Sequence, residues 1–112
     1  MSGSFELSRG KSGQFHFNLL ATNRRVILTS EAYKRKQSAL NGIASVKKNA
    51  QKRDNFEKRI ARNGKHCFVL LAPNGEIVGQ SQMYAHASSA YVGIRSVMSN
   101  APAAKVDDLS NG

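Results

Sequence analysis

The sequence has one cysteine, two prolines and no tryptophan. Cys67 alone closes no disulfide within the chain and supplies no CxxC pair for a metal, a usage that suits a reducing compartment. With nine glycines, 40% hydrophobic and 21% charged residues, the chain is neither disordered, collagen-like nor of low complexity. No apolar run approaches the roughly 18 residues of a membrane span. The opening Met-Ser-Gly-Ser-Phe-Glu lacks the basic and apolar regions of a signal peptide. The expectation is therefore a soluble, cytoplasmic protein with no membrane partner. Acids are scarce as well, seven against 17 lysines and arginines, for a formal net charge of +10. A length of 112 residues allows one compact domain, 1–112, that buries roughly two thirds of its unfolded-chain surface.

What the sequence does have is a copy of itself. Shifted by 51 positions, Gly13 meets Gly64, Phe17 meets Phe68, and Leu19, Leu20, Ala21 and Asn23 meet Leu70, Leu71, Ala72 and Asn74. Ser30 and Tyr33 then meet Ser81 and Tyr84. Ser38, Ala39, Gly42, Ile43, Ser45, Val46, Asn49 and Ala50 meet Ser89, Ala90, Gly93, Ile94, Ser96, Val97, Asn100 and Ala101. These are sixteen identities over positions 13 to 50, and Phe5-Glu6 against Phe56-Glu57 extends the register. Two copies are too few for a solenoid or propeller, which needs about three, so a paired, pseudo-twofold domain is expected, with repeats at about 4–55 and 56–109 and a frayed tail at 110–112.

Each copy reads alike. Gln14 to Ala21 alternates, with Phe15, Phe17, Leu19 and Ala21 on one side and His16 and Asn18 on the other. Lys65 to Ala72 keeps Phe68 and Leu70 on the core side, while Cys67, Val69 and Leu71 make its second side apolar too. Pro73-Asn74-Gly75-Glu76 suits a two-residue hairpin turn, and Thr22-Asn23-Arg24-Arg25 takes that place in the first copy. Strands are then expected over Val26 to Tyr33 and Ile77 to Tyr84, led by strands Ser4 to Arg9 and Phe56 to Ala61. The period next changes to 3.6: Ala39, Ile43, Val46 and Ala50, like Ala90, Ile94, Val97 and Ala101, form the stripe of a helix on a sheet. Gly42 and Gly93 sit inside these helices although glycine costs about 1 kcal/mol there relative to alanine, which points to close packing. Gln51 to Asn55 and Lys105 to Leu109 are expected as short closing strands.

The run Asn41-Gly42-Ile43-Ala44-Ser45-Val46-Lys47-Lys48-Asn49-Ala50, with Leu19 to Asn23 and Ser30-Glu31-Ala32-Tyr33, resembles the YegP-like bacterial family, a domain of unknown function found singly or in tandem. The likeness covers about residues 4 to 109. It implies three strands, a helix and a final strand per copy, with the copies sharing one sheet and exchanging their last strands. It implies no catalytic residue set. Two departures stand out: Lys34-Arg35 and Ala85-His86 replace the serine or threonine that caps the helix, and the second helix has Val92-Gly93 and Met98-Ser99 where the family has Asn-Gly and Lys-Lys. The fold class is thus α+β: two tandem β-β-β-α-β repeats forming one mainly antiparallel sheet with two helices on one face, related by a pseudo-twofold. Because the duplication supplies its own partner, a monomer with an internal pseudo-dimer is expected.

Charge is uneven between the copies. Residues 1–63 hold 14 cations against four acids, and residues 64–112 hold three against three. Lys34, Arg35 and Lys36 align with Ala85, His86 and Ala87, and Lys47-Lys48 with Met98-Ser99, so a shared fold does not require these cations. The candidate anion-binding or nucleic-acid-binding set is Arg24, Arg25, Lys34, Arg35, Lys36, Lys47, Lys48, Lys52 and Arg53. The plainer reading is a solvated basic surface, with Lys47-Lys48 complementing the helix dipole. Zinc-finger spacings, RNP-like aromatic runs and GxxxxGK loops are absent.

Chemistry is hard to find. His66 and Cys67 point to opposite faces of a strand and form no dyad. His16 and Cys67 are equivalent positions and would meet only if their strands flank the pseudo-axis. Asp107-Asp108 lacks further oxygen ligands for a cation. Ser45 and Ser96 suit packing rather than nucleophilic roles, Tyr33 and Tyr84 suit anchoring ahead of a pocket wall, and His86 suits a surface residue or a makeshift cap. No cofactor or metal is indicated, and an enzyme is not favoured. The first functional reading is a non-catalytic binding or interaction module, with nucleic acid or an acidic protein as candidate partners. Weak nucleic-acid binding through the first repeat comes second, and a small-molecule site at the pseudo-axis third.

Overall fold

The computed structural model describes residues 2–110; the expected tail positions Asn111 and Gly112 lie outside the described residues. The order is β1 (Ser4–Arg9), β2 (Phe15–Leu20), β3 (Val26–Thr29), α1 (Lys36–Asn49), β4 (Phe56–Ile60), β5 (His66–Leu71), β6 (Ile77–Gln80), α2 (Ala87–Asn100) and β7 (Lys105–Asp108). The seven strands form one sheet in the order β4-β5-β6-β3-β2-β1-β7. All pairs are antiparallel except β1 with β7. The two repeats meet where Thr29 opposes Gln80, positions related by the 51-residue shift, so the pseudo-twofold passes between them. Thr29 Oγ1 donates to the Gln80 carbonyl at 3.3 Å across this seam.

The expected strands Val26 to Tyr33 and Ile77 to Tyr84 are shorter than the alternation suggests, and serine side chains are the cause. The Phe17 N–H donates to Ser30 Oγ at 2.9 Å instead of to a backbone carbonyl, and Phe68 N–H does the same with Ser81 Oγ. Pairing resumes only as single bridges, Phe15 with Tyr33 and His66 with Tyr84. The hairpins also differ from a two-residue turn. In the loop after β5, Gly75 N–H donates to the Ala72 carbonyl and only Gly75 has positive φ, at 85°, which is a type I turn closed by a left-handed residue. The same geometry recurs after β2, where that left-handed place is taken by Arg24 at φ 70°.

Both helices press on the face carrying Phe5, Leu7, Phe17, Leu19, Phe56, Phe68 and Leu70, and the buried residues of both repeats form one cluster. Each helix straddles the seam: α1 lies over β2, β5 and β6, and α2 over β5 and β3. Aromatic triads repeat with the sequence. Phe17 stacks on Tyr33 and meets Phe5 edge-on, and Phe68 does so with Tyr84 and Phe56. Neither helix has a side-chain cap; Arg35 and His86 occupy the N-cap positions without capping bonds, so His86 is not a makeshift cap. Replacing either by aspartate is expected to stabilise the protein by about 1 kcal/mol, read as a rise in denaturation midpoint.

Two expectations about the closing strands need correction. Gln51 to Asn55 forms no strand; a 3-10 turn at Arg53–Asn55 leads straight into β4, and Asn55 Nδ2 donates to the Asn49 carbonyl at 2.9 Å. A parallel neighbour to β4 would need a crossover of a dozen residues or more, which the five residues before β4 cannot supply. The exchange of last strands is therefore one-sided. β7, from the second repeat, adds to β1 of the first, while among the described residues no strand lies beside the equivalent outer edge of β4.

Candidate interaction surface

The sequence-predicted cations do not gather into one site. Arg24 Nη2 donates to Glu6 Oε2 at 3.0 Å, and Lys36 pairs with Asp108 of β7. Lys47 lies over the Phe5 ring and Arg53 over the Tyr91 ring, 5.0 Å from its centroid. The remaining five, Arg25, Lys34, Arg35, Lys48 and Lys52, are exposed and make no ion pair among the described residues. Around α1 the candidate cations stand at its two ends, Lys34, Arg35 and Lys36 at the start and Lys47 and Lys48 in the last turn, with Gln37 hydrogen-bonded to Asn41 between them.

Asp108 shows what one of these pairs does. Hydrogen bonds from Lys36 and then from Ser110 hold its carboxyl at about 2, below the ordinary 3.8. A depressed folded-state value contributes stability that is present above the unfolded-state value near 4 and is lost as pH falls towards 2. The thermal midpoint should therefore fall more steeply between about pH 4 and 2 than in Asp108→Asn, and parallel curves would contradict the pairing. Asp107 opposes Glu6 and Asp108 opposes Leu7, so the neighbouring acids face opposite sides of the sheet and do not converge on a cation.

The other candidates for chemistry resolve into packing. β2 and β5 are separated by β6 and β3, which places His16 and Cys67 about 14 Å apart in the sheet direction and removes them as a pair. Ser45 and Ser96 accept hydrogen bonds from Asn49 and Asn100 one turn on, tying down the last turns of the helices. The Tyr33 ring fills the space over Gly42; burial raises its phenol pKa above 10.0, with Glu31 and Glu76 adding to the shift. At the pseudo-axis, Thr29, Ser30, Glu31, Ile77, Gly79 and Gln80 line a cleft of about 180 Å³, below the roughly 300–1,000 Å³ usual for small-molecule sites.

A surface that the sequence reading missed lies at the outer edge of the second repeat. Between β4 and α2 runs an open groove of about 390 Å³ lined by Lys58, Ala87, Ser88, Tyr91, Val92 and Arg95. It continues past Ile60 and His66 at the far end of β4. Ile60 is 70% exposed, Val92 63% and Tyr91 46%. The Tyr91 ring is flanked by Arg53 and by Lys58, whose Nζ is 5.1 Å from the centroid. The signal was present in the alignment: Tyr91 and Val92 replace Leu40 and Asn41 at positions outside the buried helix stripe, and Lys58 replaces Leu7. Lys58 and Arg59 fall in the first 63 residues yet lie on the edge of the second repeat, so the charge of each sequence half does not follow the charge of each edge.

Among the described residues, no helix is long and apolar enough to cross a membrane. The profile of a domain of unknown function, DUF1508, matches residues 11–57 and again 61–108. A UPF0339 protein of Pseudomonas aeruginosa is 53% identical over 110 residues, covering 98% of this chain and 100% of the relative. The UPF0339 protein YegP of Escherichia coli K12 is 49% identical over 108 residues, 96% and 98% of the two chains. The solution NMR structure of the Escherichia coli yegP protein of unknown function superposes with a TM-score of 0.94 at 47% identity, covering 100% of this chain and 97% of that one. That of a UPF0339 protein from Shewanella oneidensis gives 0.93 at 44%, covering 99% and 94%.

Proposed function

We propose that this chain, which belongs to the YegP-like DUF1508 family, is a non-catalytic, cytoplasmic interaction module that works as a monomer. The relatives are themselves of unknown function and lend it no activity. The observation that supports the reading is the cationic and aromatic groove between β4 and α2. Exposed Ile60, Tyr91 and Val92 stand beside a strand edge that is unpaired among the described residues, while the matching edge of the first repeat is covered by β7. Exposed large apolar groups grouped beside an open edge are features that proteins in water normally suppress unless they are used. The test is site-specific photo-crosslinking in the native cell. A photoreactive residue at Tyr91 or Val92 should give discrete protein adducts, and one at the exposed Ala44 of α1 should give none. Absence of adducts at both groove positions would overturn the reading.

A second reading, weak nucleic-acid binding, is favoured by the five exposed cations Arg25, Lys34, Arg35, Lys48 and Lys52, which make no ion pair among the described residues. Binding of this kind weakens with salt, with a log-log slope of about −0.9 per duplex phosphate neutralised. Lys34→Ala with Arg35→His, the residues of the second repeat, should remove it; Lys36 must be spared because it holds β7. Titration with mixed DNA and RNA at two salt concentrations decides, and no salt-sensitive binding at micromolar protein eliminates this reading.

A further inference from the structure

The filled edge of the sheet is a template for the open one. In the filled slot, β7 runs parallel to β1, with Val106 opposite Phe5 and Asp108 opposite Leu7. Leu109 N–H donates to the Leu7 carbonyl at 2.8 Å, and Asp108 reaches Lys36 on α1. Advancing each slot residue by 51 gives the open slot: Phe5 becomes Phe56, Leu7 becomes Lys58, Lys36 becomes Ala87 and Leu40 becomes Tyr91. The acid-binding cation is thus not lost but moved. In the filled slot it stands on the helix, and in the open slot it stands on the edge strand, at the position across from which Asp108 would lie. Phe56 and Lys58 share the helix side of β4, since they oppose Leu70 and Phe68.

Resting on the interaction-module reading, we propose that the outer edge of β4 takes up an extended segment of an acidic partner protein as an eighth, parallel strand. The segment places an apolar residue opposite Phe56 and, two residues later, a carboxylate beside Lys58. Strand addition supplies backbone hydrogen bonds, and side-chain pockets select among sequences. Here the selecting groups are Lys58 and Arg95, with Arg53 and Lys58 against the Tyr91 ring making a cationic floor. Lysine on an edge strand deters pairing with an uncharged edge or a second copy of the same edge. A carboxylate relieves that penalty, so the group that blocks aggregation also chooses the partner. Glu57, the acid on β4, lies on the opposite face and is paired with Arg59 at 3.1 Å, so it does not oppose an acidic segment on the groove side.

The test is a titration of the isotope-labelled, full-length protein, followed by amide NMR shifts. The probe is a synthetic peptide with the sequence of residues 103–110, Ala-Ala-Lys-Val-Asp-Asp-Leu-Ser, and the control carries lysines in place of both aspartates. The acidic peptide should shift amides of residues 56–60 and 87–95 saturably, and affinity should fall at least about tenfold for the lysine peptide and for Lys58→Glu. Arg95→Glu is the second variant should Lys58→Glu fail to fold. No shifts at about millimolar peptide, or shifts confined to β1 and α1, would overturn the proposal. So would equal affinity for the lysine peptide, or shifts that depend on protein concentration alone, which would identify a second copy as the occupant. Adducts at Tyr91 without peptide binding would leave the interaction module standing and remove strand addition; loss of both removes both.

Discussion

Gly79→Leu should destabilise the protein by about 3 kcal/mol or more, and Leu28→Gly by about 4, whereas the double substitution should recover most of the loss. The two positions are related by the 51-residue shift, and Leu28 lies against Gly79 diagonally across the Thr29–Gln80 seam. Identical large side chains cannot both occupy the space on a twofold. A Cβ added at Gly79 would lie 2.7 Å from Leu28 Cγ, so the leucine of the first repeat fills the room left by the glycine of the second. Leu28 is fully buried, and its loss leaves a cavity, while a second leucine meets the first. Exchanging them moves the knob to the other side of a nearly symmetric seam. Urea unfolding of the two single variants and the double variant gives the coupling energy. Additive losses would show that the repeats do not meet around this axis.

Gly42→Ala comes next, with an expected loss of about 2 kcal/mol although alanine is the better helix former by about 1. A Cβ at Gly42 would lie 2.6 Å from Tyr33 Oη and 3.0 Å from Phe17 Cε2. The helix therefore needs glycine for the tyrosine to pass beneath it, and Gly93 stands in the same relation to Tyr84 and Phe68. Tyr33→Phe removes the oxygen at the nearest contact. It should be nearly neutral alone and should restore about half of the loss in Gly42→Ala, a coupling of about 1 kcal/mol. A stabilising Gly42→Ala would mean that the ring and the helix do not touch.

These two sites show how much of the molecule the sequence carries. The duplication, the hairpins, the helix stripes and the packing role of Gly42 and Gly93 were legible because they depend on local period and on residues that recur. The fate of the last strands was legible only in part. The 51-residue register places β7 over residues 54–57, which already form the end of the 3-10 turn and the start of β4, so the first repeat has no residues left for a closing strand. The candidate site was the least legible. Lys36 and Arg24 read as surplus charge until β7 and Glu6 come beside them. Lys58, Tyr91 and Arg95 are far apart along the chain and carry meaning only when β4 and α2 frame an empty strand position.

Residue-resolved amide hydrogen exchange tests the shared sheet with one covered and one open edge most directly, because protection reports hydrogen bonding strand by strand. Slow exchange is expected for amides on both sides of β1 and at the Thr29–Gln80 seam, together with fast exchange of the β4 amides that point away from β5. Uniform protection along β4, or open exchange in β7 and at the seam, would contradict it.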